Sequence, residues 1–141
     1  MSSPQFKAPK YEPKPVRMVE IPFSGAVAAG AYLTLVTSKI MYPYRVIRVK
    51  MFFPAVAANL VQHRWYVSPS PTVSTTDWPA DTNLFGRESP TATFIGSSLI
   101  RQVAANVEVR EIGTYIKFST FNGLGVAYTA NGSITIEEIK T

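Results

Sequence analysis

The run YRVIRVKMFF, residues 44–53, constrains the fold more than any other stretch of this chain. Ile47, Val49, Met51 and Phe53 alternate on one side, and Val46, Arg48, Lys50 and Phe52 on the other. Side chains two apart share a face in an extended strand, whereas a helix would scatter these apolar residues around its circumference. One apolar face beside a mixed face predicts a strand whose sheet is covered on one side by a partner sheet. Pro54 removes a ladder donor and ends the strand.

The same signal recurs at short intervals. Residues 16–21 alternate, and a small-residue loop with Gly25 and Gly30 is expected over 24–30. Residues 31–37 read as a strand. Residues 60–67 read as another, with Val61, His63, Trp65 and Val67 on one face and Gln62, Arg64 and Tyr66 on the other. Residues 55–60 have room for one helical turn. Short strands are expected at 93–95, 98–103, 107–112, 115–121, 126–129 and 133–140. Asn122-Gly123 and Asn131-Gly132 both read as turns between apolar runs. Eight or nine short strands with close turn signals predict an all-β domain. An antiparallel two-sheet sandwich, a jelly roll, is the leading architecture; an immunoglobulin-like sandwich comes second, and a five-stranded OB barrel third.

Between the strands lies a long polar stretch, residues 68–92, with Pro69, Pro71, Pro79 and Pro90. A loop of this length usually has a task or crosses between sheets. Trp78 and Phe85 within it are expected to pin it to the body.

The ends differ. Residues 1–16, MSSPQFKAPKYEPKPV, hold Pro4, Pro9, Pro13 and Pro15, which exclude a helix or a central strand. An extended arm is expected, reaching about 45 Å at polyproline rise, against a radius of roughly 14–15 Å for its own domain. Phe6 and Tyr11 suit an arm that anchors in pockets on another surface. The domain reading is therefore an arm at 1–16 and a β-sandwich at 17–141. The first ten residues have no apolar core, so no secretory signal is expected, and no apolar run is long enough to span a bilayer.

Composition narrows the chemistry. A chain of 141 residues suits one domain. With no cysteine, disulfides, thiolate metal sites and thiol nucleophiles are excluded. The single histidine, His63, argues against a multi-histidine metal site or a Ser-His-Asp triad, and a strand histidine of this kind reads as structural. Gly123 to Gly125 lie between strands rather than before a helix, so they suit a turn and not a phosphate. Glu137 and Glu138 are adjacent on a strand and point to opposite faces, unlike a glycosidase pair. Asp77 and Asp81 could contribute to a calcium site, but lack a wider ligand set. No enzyme activity, no metal and no cofactor is expected.

The formal net charge of +5 favours an anionic partner, an acidic protein lattice or a nucleic acid. Lys7, Lys10 and Lys14 crowd the arm, and Arg45, Arg48 and Lys50 form a second group. Arg48, Lys50, Trp65 and Trp78 are candidate surface contacts. With Tyr66, the first three could form a platform for single-stranded nucleic acid, and Trp65 and Trp78 could stack on sugar rings.

The arm SPQFKAPKYEPKPV, the strand YRVIRVKMFFPA and the closing TANGSITIEEI together give a layout that resembles the capsid decoration, or cement, proteins of tailed bacteriophages. It is most similar to the jelly-roll type known from phages of thermophilic bacteria. The resemblance covers most of the chain. It implies a structural protein on the outer capsid surface, made in the host cytoplasm and assembled as homotrimers. The major capsid protein would be its partner, with no membrane and no nucleic acid involved. By position, Phe6, Lys7, Lys10, Tyr11 and Lys14 would clamp neighbours.

Overall fold

The computed structural model describes residues 17–86, 89 and 91–140. The arm, with Phe6, Lys7, Lys10, Tyr11 and Lys14, lies outside the described residues.

Among the described residues nine strands form: β1 (Met18–Val27), β2 (Tyr32–Val36), β3 (Tyr44–Phe53), β4 (Val61–Ser68), β5 (Thr82–Asn83), β6 (Phe94–Gly96), β7 (Leu99–Val109), β8 (Tyr115–Asn122) and β9 (Tyr128–Glu138). Among the described residues one 3-10 turn, Ala55–Ala57, follows Pro54. The first sheet runs β1-β9-β3-β7, and the second runs β2-β8-β4-β5 with β6 also on β4. Every pairing is antiparallel. The pairs nest: β1 with β9, β2 with β8, β3 with β7, and β4 with β5 and β6. That is one long hairpin folded back on itself. Rolling it up adds β3 beside β9 and β4 beside β8. The result is a jelly-roll sandwich, as the strand count predicts.

The two inner faces meet in an apolar core. Phe23 of β1, Trp65 of β4 and Phe118 of β8 pack at centroid separations of 4.5 to 5.8 Å. Val49, Met51 and Phe53 of β3 join them, fully buried, as do Ile134 and Ile136 of β9. Aromatic burial of this kind dominates the energetics of a small sandwich. Trp65 is wholly buried, so it belongs to the core and not to a surface platform or a sugar site.

Four local expectations change. The proposed loop at 24–30 is strand as far as Val27, because Ser24 to Val27 pair with Asn131 to Tyr128. Asn131-Gly132 is not a turn but the middle of β9, where Gly132 pairs with both Phe23 and Met51. Its glycine serves a close approach: a Cβ there would lie 2.6 Å from Cε2 of Phe118. The strands expected at 98–103 and 107–112 are one strand, β7. In β3 the alternation slips, because the register shifts between Val46 and Arg48. Tyr44 and Val46 therefore point inward together with Val49, Met51 and Phe53. A bulge adds a residue and reverses the parity beyond it. Asn122-Gly123 does end β8, but the connection passes from one sheet to the other rather than closing a hairpin. The Asn122 amide ties that corner to the carbonyls of Val27, Ala28 and Val126.

Candidate functional site

The outer faces of the two sheets have different fates. On the second sheet, the rungs Tyr32–Phe121–Gln62, Thr34–Ser119–Arg64 and Val36–Lys117–Tyr66 face away from the core. Yet Thr34, Tyr66, Lys117 and Ser119 are buried, because the long polar segment folds over them. Lys117 Nζ donates to the Asp81 carboxylate at 2.8 Å and to the Thr72 carbonyl at 2.6 Å. The Arg64 guanidinium lies over the Trp78 ring at 4.2 Å, and Tyr32 meets that ring edge-on at 5.2 Å. Phe85 packs on Phe94 at 4.9 Å. Trp78 and Phe85 thus pin the segment, as expected. Trp78 has spent one ring face on Arg64, which leaves a poor stacking platform for a sugar. Asp81 is committed to Lys117, and Asp77 accepts the Trp78 amide at 2.7 Å. Both carboxylates are thus engaged within the segment and its latch.

The first sheet carries no such cover among the described residues. Its outer rungs run Met18–Glu137–Arg45–Glu108, then Glu20–Thr135–Arg48–Ala104, then Pro22–Ser133–Lys50–Gln102. Phe52 stands opposite Ile100 one step further on. Arg45 is neutralised, with its guanidinium 2.6 Å from the Glu108 carboxylate and Glu137 on its other side. Arg45 and Arg110 hold the Glu108 carboxyl below its usual range by hydrogen bonding. Arg48 and Lys50 make no ion pair among the described residues. The Lys50 rung has no acid at all, and Glu20 is two strands from Arg48, roughly 10 Å at ordinary strand spacing.

Beside Lys50 the surface is hollow. A groove of about 290 Å³ lies between Pro22 and Ser24 on one side and Lys50, Phe52 and Ile100 on the other. Its floor is low because β9 presents only Asn131, Gly132 and Ser133 there. Phe52 is 40% exposed and Ile100 69%. The structure therefore brings Arg48 and Lys50 together on one face, and leaves Trp65 and Trp78 elsewhere. The sequence reading placed Phe52 beside these cations but missed Pro22 and Ile100, which come from strands distant in sequence. Their signal is an apolar residue at an outward strand position.

A second recess, of about 390 Å³, opens at the β7 edge over Val67, Leu84, Val107 and Val109. The charged pair at its rim, Glu108 and Arg110, is already mutually engaged at 2.8 Å.

His63 is fully buried and not part of any site. Its ring lies between Phe53 and Phe118 at 4.6 and 5.0 Å, and Nε2 donates to the Phe52 carbonyl at 3.2 Å. Burial pushes its pKa down to about 4, so the ring is neutral.

No family model matches the sequence, and no curated protein matches it. Among solved structures, one similar chain comes from Bacillus endospore appendages, a family of disulfide-linked pili. It is 14% identical with a TM-score of 0.38, over 90% of this chain and 92% of that one. Another comes from the Gx strain of infectious bursal disease virus. It is 12% identical with a TM-score of 0.41, over 88% of this chain and 32% of that one. This chain thus spans about a third of the viral chain's length. At those scores neither likeness bears on function. This chain has no cysteine and forms no disulfide link.

Proposed function

We propose that this chain is a structural protein of a virion and not an enzyme. Its jelly-roll body sits on the outer capsid surface, and its arm, residues 1–16, clamps neighbouring subunits within a trimer. The observation that carries the reading is the asymmetry of the two outer faces. One is covered by the chain's own polar segment, while the other, among the described residues, is uncovered and carries a groove beside the unpaired cations Arg48 and Lys50. A protein that lies flat on a lattice needs one such face, and many weak copies of the contact give avidity. Two buried titratable groups fit the same reading, because they have structural tasks. His63 caps a strand carbonyl, and Lys117 latches the strap through Asp81.

The test is immunogold labelling of virus particles recovered from the source of the sequence, with antibody raised against the full chain. Label on the shell surface is expected. Particles that carry the protein nowhere on the shell overturn the proposal.

A further inference from the structure

We infer that the groove on the outer face of the first sheet binds an acidic polypeptide segment carrying an aliphatic or aromatic side chain between its carboxylates. That this segment belongs to a capsid lattice rests on the function proposed above; the chemistry of the groove stands on its own geometry.

Two features coincide there. Arg48 and Lys50 project from neighbouring rungs of β3, and neither has an acid directly across from it on β7 or β9. Immediately beside them, Pro22, Phe52 and Ile100 wall an apolar hollow. A cation next to an exposed apolar pocket matches a ligand with a carboxylate next to an apolar side chain. The cations give orientation and encounter rate, and the hollow gives the anchor.

Charge excludes the other occupants. The chain's own arm carries Lys7, Lys10 and Lys14 against Glu12, so it has the same sign as the groove. A second copy docked groove to groove, with the twofold axis through the hollow, would bring the two Lys50 ammoniums together. A nucleic-acid backbone needs a row of cations along its path. Here the row is two long: Glu20 stands on the Arg48 rung itself, and Glu108 and Glu137 on the next rung. Those carboxylates repel a phosphate row that continues past the groove, whereas a peptide short enough to stay over Lys50 and the hollow meets no acid in the groove lining.

The experiment is fluorescence anisotropy with the full chain and a short fluorescein-labelled peptide of alternating glutamate and leucine. A glutamate–serine peptide and an oligothymidylate serve as comparison probes. The glutamate–leucine peptide is expected to bind best. Lys50→Glu is expected to weaken it about tenfold, in line with loss of a charge contact. Ile100→Ser, which removes an exposed wall and leaves the core intact, is expected to weaken it about tenfold as well. Lys39→Glu, at the far end of the sandwich, changes net charge equally and is expected to leave binding unaltered.

Equal affinity for the glutamate–serine peptide overturns the proposal, since the hollow then contributes nothing. Tighter binding of oligothymidylate that is lost in Lys50→Glu overturns it in favour of nucleic acid. No binding of the glutamate–leucine peptide also overturns it. The immunogold test is independent. Labelled shells with a failed peptide assay remove the groove and keep the virion reading. A successful peptide assay with unlabelled shells does the reverse.

Discussion

Single residues decide two things that the alternation of strands leaves open. The first is pH sensitivity. His63 is read from sequence as a structural strand residue, and the structure gives the reason: it spans the sheets to the Phe52 carbonyl. Its folded pKa of about 4 lies below the ordinary 6.5, so the unfolded chain binds the proton more readily. The associated stability is complete above pH 6.5 and is lost as pH falls toward 4. The gap corresponds to about 3 kcal/mol. Urea melts are expected to show the parent chain losing about 3 kcal/mol more than His63→Leu between pH 7 and 4. Parallel pH profiles would show that the ring is not held neutral. The second is the space above Phe118. Gly132→Ala puts a methyl 2.6 Å from that ring and 3.1 Å from the Lys50 carbonyl. A loss of about 1–3 kcal/mol is expected from overpacking, read as a lowered denaturant midpoint. An unchanged midpoint would mean that the ring yields freely. No sequence pattern distinguishes this glycine from one in a turn, because the close approach is made by a residue of another sheet.

At the scale of elements, strands were legible wherever alternation ran unbroken, as in β4 and β8. The errors fall where alternation and turn chemistry compete. Asn131-Gly132 has the composition of a hairpin turn, yet both residues are paired in the ladder. The slip in β3 was invisible because a bulge changes parity without changing composition. The strap over the second sheet was half legible: its aromatic pins were, its latch was not. Lys117 sits on an outward strand position, yet only 2% of its side chain is exposed. Asp81→Ala leaves that ammonium with the Thr72 carbonyl as its remaining partner among the described residues. Stranding a buried charge typically costs about 3–5 kcal/mol, and a loss toward the lower end is expected because Asp81 is itself partly exposed. Replacing both partners, Asp81→Ala with Lys117→Met, is expected to recover most of it. A single Asp81→Ala variant as stable as the parent would show that the strap is held without the latch.

At the scale of the whole molecule, strand count and spacing announced a sandwich, but the strand order that makes it a jelly roll was not legible. That order depends on β1 meeting β9, from opposite ends of the described chain, and no local pattern encodes such a pairing. The same topology bears on the arm. The first strand starts at Met18, so a chain begun at Val16 retains the sequence of all nine described strands. Its thermal unfolding is expected to match that of the full chain. Its assembly is not, if the arm clamps neighbours. Light scattering is expected to give the full chain as a trimer and the shortened chain as a monomer. A shortened chain that stays trimeric would transfer assembly from the arm to the faces of the sandwich. The edge strand β7 would then come first: it runs eleven residues without a proline or a lysine to blunt it. A full chain that is monomeric at every concentration would remove the trimer altogether and leave the grooved face as the body's own means of reaching a lattice.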